Sequence, residues 1–388
     1  MTAPAAAGLP ADEIVRALLR EDLRDQTAYG APQLDVPAAL NTNENSYPVP
    51  ADVVADMLAE LARTLPGLNR YPDREFTALR RALASYLSRS GTVIGADQVW
   101  AGNGSNEALL HLFQAFGGHG RRAIGFTPSY SMHSIIAGTT ATPWVAGTRS
   151  ADPGRLFTLD PESVAAQVES AHPNLVFICS PNNPTGTAVG LDVIEAAYAA
   201  APGAVVVVDE AYAEFARPGT PSALTLLPGR ERLVVTRTMS KAFALAGGRL
   251  GFLAADPALT AALRLVRMPY HLSAPTQAIA VAALRHTDTM LATVGVIKEQ
   301  RDRIAHELAV TGYHPVPSDA NFVLFGGLAD ATATWAALLE RGVLVRDVQI
   351  PHHLRVTAGT PEETTAFLEA LAALGPRHQA VVPAAEGA

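Results

Sequence analysis

From about residue 97 to residue 255, short apolar runs rich in β-branched residues alternate with longer amphipathic segments. The short runs are QVWAG, RRAIGF, TPWVAG, NLVFICS, AVVVVDEAY, RLVVTRTMS and LGFLAAD. Alternation of this kind predicts an α/β domain with a largely parallel sheet. The VVVV ahead of Asp209 is apolar on both faces, as a central strand covered by helices on each side requires. Ligands of such sheets bind beyond the carboxyl ends of the strands, in loops that lead into helices. A second pattern starts near residue 281, where VAALRHTDTMLATVGVIKEQRDRIAHELAVTGY reads as one long helical stretch. NFVLFGG, GVLVRD and LRVTAG follow as short strands, and PEETTAFLEALAALG as a closing helix with an early proline. The expected organisation is an N-terminal arm at residues 1–45 packing on the small domain, a large domain at 46–280, a small α+β domain at 281–375, and a disordered tail at 376–388.

Composition narrows the classes. The 388 residues exceed the usual size of a single core, and 48% hydrophobic with 17% charged residues suits a soluble globular protein. A formal charge of −8 without any basic run argues against a nucleic-acid partner, and no apolar run is long enough to span a bilayer. MTAPAAAGLPADEIV has no basic n-region before Arg16, so a signal peptide is not expected and the cytoplasm is the expected location. The one cysteine, Cys179, has no intrachain disulfide partner and sits in an alternation that reads as a buried strand, so it is taken as a core residue. His352 and His353 are adjacent, lack the spacing of a helical ligand pair and read as a solvated loop; no metal site is expected.

Four stretches carry candidate chemistry. In RTMSKAFALAGGRLGF, Lys241 stands among small and apolar residues, eight positions before Arg249. It is either a surface charge or a buried amine whose pKa desolvation lowers. Asp209 ends a buried strand and needs a cationic partner, either an Arg or Lys or the protonated ring nitrogen of a bound cofactor. Tyr212 faces the same side if the turn after Asp209 enters a helix. In VWAGNGSNEALLHLFQAF a strand passes through Gly104, Ser105 and Asn106 into a helix, a junction that serves as an anion site or as a plain cap. Glu107 occupies the third glycine position of a dinucleotide fingerprint, which excludes that motif. SPNNPTG, taken alone, is a turn.

In their order along the chain, SPNNPTG, DEAY and TMSKAFALAGGR resemble the fold type I pyridoxal-phosphate aminotransferases. The resemblance implies an α/β large domain with a mostly parallel sheet between helices, a smaller α+β domain, and pyridoxal 5'-phosphate as cofactor. It makes Lys241 the Schiff-base lysine, pairs Asp209 with the pyridinium nitrogen, and sets Asn183 and Tyr212 on the cofactor's phenolic oxygen. Gly104, Ser105, Asn106, Thr238, Ser240 and Arg249 are implied phosphate ligands, and Tyr130 stacks on the ring.

Over about residues 18–375 the succession LNTNENSYPVP, LNRYPD, GNGSNE, VRMPYHLS, DANFVLF, GVLVRD and LRVTAGT is similar to that of histidinol-phosphate aminotransferases. That narrower resemblance implies ping-pong transamination through Lys241, from L-histidinol phosphate to 2-oxoglutarate, giving imidazole-acetol phosphate and L-glutamate. It implies a homodimer in which the partner subunit's Tyr71 reaches the cofactor phosphate, and substrate contacts from Tyr29, Asn183, Arg346 and Arg355. The chain departs from the family pattern at Ser46, where proline is usual, at Gly248, where leucine is usual, and at His133, where tyrosine is common. The alternatives are an aromatic amino-acid aminotransferase, a paralogue of specialised metabolism, and a phosphothreonine-type decarboxylase on the same fold.

Overall fold

A computed structural model describes residues 10–24, 26–375 and 378–379. The chain falls into two compact units, Met1–Gln33 and Leu34–Ala388. The first holds the helix Ala11–Leu18, with Asp12 and Glu13 in its first turn at the positive end of the helix dipole. Arg24 closes the other end, donating from Nε to the Leu19 carbonyl and from Nη2 to the Ala17 carbonyl, both at 3.1 Å. The tail expected to be disordered lies outside the described residues except for His378 and Gln379.

In the second unit a seven-stranded sheet runs in the order Val99–Asn103, Leu250–Ala255, Leu233–Thr238, Val205–Asp209, Leu175–Cys179, Ala123–Thr127, Trp144–Thr148. Every adjacent pair is parallel except those that involve Leu250–Ala255, which is antiparallel to both neighbours. The strands are those that the alternation predicts. Val205–Asp209 is buried throughout, because helices cover both faces and only a run of apolar residues tolerates that. Register sets Cys179 opposite Asp209 and Asp209 opposite Thr236, so the ends of three parallel strands meet at one edge. The antiparallel strand begins at that same edge, which delivers Arg249 beside Thr238 and Gly104.

A four-stranded antiparallel sheet, in the order Arg346–Asp347, Leu354–Thr357, Phe322–Gly326, His314–Pro315, forms from the later strands. Ala38–Ala39 pairs in parallel with Val343–Leu344 and so holds the residues that follow, 40–43, against Leu354–Thr357. The stretch expected as one helix from residue 281 is two, Ala274–Arg285 and Thr287–Val310. They break at His286, whose backbone leaves helical geometry while its ring and the Arg285 guanidinium both bind Asp56. The closing helix Pro361–Leu374 starts as its sequence predicts, with Pro361 in its first turn and a capping box between Thr360 and Glu363.

Candidate active site

Asp209 emerges from the central strand with its carboxylate buried. Of the alternatives for its partner, the structure brings neither arginine nor lysine. Thr236 Oγ1 donates to Oδ1 at 3.0 Å and His133 Nε2 to Oδ2 at 3.0 Å. The His133 ring stacks on Phe177, with centroids 5.1 Å apart, and meets Tyr130 edge-on at 5.5 Å. His133 enters the sequence reading only as a departure from tyrosine; here it orients a buried carboxylate, the arrangement that makes such burial tolerable. The carboxylate at the end of the central strand is thus met by a ring carried on the helix Met132–Thr139.

Lys241 lies in the turn after Leu233–Thr238. Its amine donates to the Thr42 carbonyl at 2.9 Å and, among the described residues, forms no ion pair with a carboxylate. Desolvation first, and then the charges of Arg355 and Arg249, push it down from the ordinary lysine value to about 8, against a weaker opposite pull from Glu44. The surface-charge reading of this lysine is therefore set aside. An amine so placed is neutral, and nucleophilic, in a useful fraction of molecules near neutral pH.

Beside it runs a chain of donors. Arg355 Nη1 donates to Asn183 Oδ1 at 2.5 Å and Nη2 to the Asn41 carbonyl at 2.6 Å, while its guanidinium lies over Phe322 at 5.1 Å. Asn183 Nδ2 donates to the Tyr212 hydroxyl at 3.3 Å, and Asn43 Nδ2 donates to the same oxygen at 3.0 Å. Burial pushes the Tyr212 phenol well above its ordinary value, so it stays protonated. Tyr212 heads a short 3₁₀ turn, Ala213–Phe215, rather than an α-helix.

Near Lys241, close enough for Arg249 to act on its amine, is an anion cradle. Gly104 caps the twelve-residue helix Ser105–Phe116 with φ +81°, a conformation for which glycine is suited. A Cβ there would strike the Arg249 guanidinium, so the guanidinium packs directly over the helix N-terminus. A Cβ at Gly251 would strike the Ser105 amide nitrogen, so a second glycine permits the close approach of strand and helix. Thr238 and Ser240 hydroxyls are 3.0 Å apart at the same edge. Helix N-terminal amides, two hydroxyls and a guanidinium converging there form a site for a phosphate. The Tyr130 hydroxyl donates to Asn106 Oδ1 at 3.2 Å, which ties the aromatic cage to the cradle.

Three further expected residues are placed as follows. Tyr71 is 79% exposed and stacks on Tyr270, with centroids 4.4 Å apart, rather than on the cradle of its own chain. Arg346 is half-buried on the strand beside Arg355, whose backbone position it faces. Tyr29 belongs to the N-terminal unit and is exposed there.

Residues 37–371 match the family model described as aminotransferase class I and II. The chain belongs to this family. Among its relatives, a histidinol-phosphate aminotransferase of Paenarthrobacter aurescens is 60% identical over 94% of this chain and 96% of that protein. One of Thermobifida fusca is 56% identical over 91% and 94%. A crystal structure of histidinol-phosphate aminotransferase from Sinorhizobium meliloti in complex with pyridoxal-5'-phosphate superposes with a TM-score of 0.76 at 24% identity, over 88% of this chain and 92% of that one. A Thermus thermophilus aspartate aminotransferase mutant gives 0.77 at 23% over 92% and 99%. These likenesses establish the fold type I aminotransferase architecture that the motifs imply.

Proposed function

We propose that the protein is a histidinol-phosphate aminotransferase that uses pyridoxal 5'-phosphate to move the amino group of L-histidinol phosphate to 2-oxoglutarate. The observation that carries the reading is the placement of Lys241: a desolvated amine that, among the described residues, forms no ion pair with a carboxylate, set near an anion cradle and an Arg355–Asn183–Tyr212 chain. Identity of 52–60% to relatives bearing that name supports the substrate.

The residues present fit the cofactor. The cradle of Gly104, Ser105, Asn106, Thr238, Ser240 and Arg249 suits its phosphate, because the missing Cβ at Gly104 lets the Arg249 guanidinium lie against the helix N-terminus that would hold that phosphate. Asp209 would hold the ring nitrogen protonated, Asn183 and Tyr212 would hold the phenolic oxygen, and Tyr130 would cover one ring face. When bound, pyridoxal phosphate supplies an electrophilic carbon for the substrate amine and an electron-withdrawing ring that takes up the negative charge left at Cα. With the group bound, the Lys241 amine would take the proton from the substrate's Cα and hold it for return. Its lowered pKa serves that exchange, since a base near 8 is both free to accept and able to give back.

Arg355, with Arg346 on the adjoining strand, is the anchor for the anionic end of each substrate, phosphate in one half-reaction and carboxylate in the other. Tyr29 completes the substrate contacts in this reading. The exposed Tyr71 would reach the phosphate of a second copy, so the working enzyme is a homodimer. Both substrates are small, charged metabolites, in keeping with a cytoplasmic biosynthetic enzyme. The test compares kcat/KM for L-histidinol phosphate and L-phenylalanine with 2-oxoglutarate as acceptor. A preference of at least about a hundredfold for histidinol phosphate, the scale of one charge-assisted anion contact, is expected. A preference for phenylalanine would move the protein to an aromatic aminotransferase.

A further inference from the structure

The segment Asn41–Asn45 has no catalytic role in the reading above, yet it touches three residues that do. Its Asn41 and Thr42 carbonyls accept from Arg355 and Lys241, and its Asn43 amide donates to Tyr212. Asn43 is buried, with φ +55°. Asparagine is among the few residues that hold such a conformation readily. Its backbone is fixed from both sides: the Asn43 N–H donates to Thr357 Oγ1 at 3.1 Å, and Asn321 Nδ2 donates to the Asn43 carbonyl at 3.1 Å.

Hydrogen-bond polarity decides what this contact does. A phenol oxygen carries one proton and two lone pairs. Arg355 has only donors, so the oxygen of Asn183 must face it and the Asn183 NH2 must face Tyr212. Thr357 Oγ1 accepts the Asn43 N–H and gives its own proton to Asn43 Oδ1 at 3.2 Å, which turns the Asn43 NH2 to Tyr212 as well. Two amide donors then occupy both lone pairs of the Tyr212 oxygen. Among the described residues no protein atom accepts the remaining hydroxyl proton.

We propose that Asn43 is a positioning residue that makes Tyr212 an obligate hydrogen-bond donor to the phenolic oxygen of the bound cofactor. The inference rests on the pyridoxal phosphate reading of the site. Without Asn43 the hydroxyl is free to turn its proton elsewhere; with an acceptor at position 43 it is pulled away. A donor on an anionic oxygen favours the deprotonated form, so its loss raises the pH at which the cofactor's visible absorbance changes.

The experiment titrates that absorbance in the reconstituted wild type, Asn43→Gly, Asn43→Asp, Tyr212→Phe and the Asn43→Gly/Tyr212→Phe pair, and measures the pyridoxal phosphate dissociation constant of each. Glycine and aspartate both accept φ +55°, which separates loss of the amide from loss of the fold. Asn43→Gly is expected to raise the midpoint by about half a unit or more and Asn43→Asp by about one unit or more. In the Tyr212→Phe background Asn43→Gly adds nothing. An undiminished effect in that background, or a midpoint unmoved in both Asn43 variants while Tyr212→Phe shifts it, overturns the proposal. If the wild type gives no visible absorbance with pyridoxal phosphate, the cofactor reading itself fails and takes this inference with it.

Discussion

At Lys241 the physics of one side chain sets a measurable balance. Burial moves its amine from 10.5 to about 8, so between those two pH values the unfolded chain holds a proton that the folded chain has released. Stability therefore rises with pH across that window, and the charged amine is a cost at neutral pH. Lys241→Met is expected to stabilise the cofactor-free protein by on the order of 1–2 kcal/mol at pH 7, after discounting the lost bond to the Thr42 carbonyl and the partial exposure of the cleft. Thermal unfolding from pH 7 to 10 reads it out: the gap should narrow as pH rises, and a gap that widens would reverse the sign of the argument. Turnover is expected to vanish in the same variant. The residue itself was legible in the sequence, because a lone lysine among small residues is unusual. Its partner was not, since a backbone carbonyl at Thr42 carries no side-chain signature. Nor was the work of His133, which faces Asp209 only because a helix places it over the strand end.

Two glycines show how element packing builds the cradle. Gly251 lies on the antiparallel strand against the N-terminus of Ser105–Phe116, where a Cβ would collide with the Ser105 amide. Gly248, two residues before that strand, is different: a Cβ there meets nothing nearer than the Leu245 carbonyl at 3.4 Å, and its φ is ordinary. Gly251→Ala is expected to push the helix N-terminus away and weaken pyridoxal phosphate binding by at least about tenfold, less than the loss of a whole charge-assisted contact because the helix amides are displaced rather than removed. Gly248→Ala should leave binding within about twofold and stabilise by about 0.4–1 kcal/mol through the unfolded chain. Cofactor titration of both variants checks the contrast, and equal losses would show that the approach of strand and helix does not build the cradle. The departure of Gly248 from the family's leucine thus has no steric necessity behind it. Strand positions were readable from alternation, whereas the break at His286 was not, because the tie to Asp56 that accompanies it comes from a residue 230 positions away.

On the scale of the whole molecule, Tyr71 and Tyr270 stack on each other while both are exposed, and Leu68 and Met268, close to them in sequence, are exposed as well, a grouping that suits an interface. A second copy of the chain is the occupant that the homodimer reading requires. Mixing inactive Tyr71→Ala and Lys241→Ala proteins under subunit exchange should restore about a quarter of wild-type activity, since half the dimers are mixed and each mixed dimer holds one complete site. No recovery after exchange, verified by native mass spectrometry, would confine Tyr71 to its own chain.

By itself the sequence determined the strands of the seven-stranded sheet and the fold type, and it named the catalytic candidates. Apolar alternation is local, whereas Lys241, Asp209 and Arg249 became candidates for particular roles only because the order of the short motifs that hold them resembles that of the fold type I aminotransferases. Tertiary structure decided which groups face one another: His133 on Asp209, Thr42 on Lys241, Asn43 on Tyr212. Those contacts join residues 76, 199 and 169 positions apart, and no local pattern encodes them because the sheet register and the chain's return along Leu354–Thr357 bring them together only after folding.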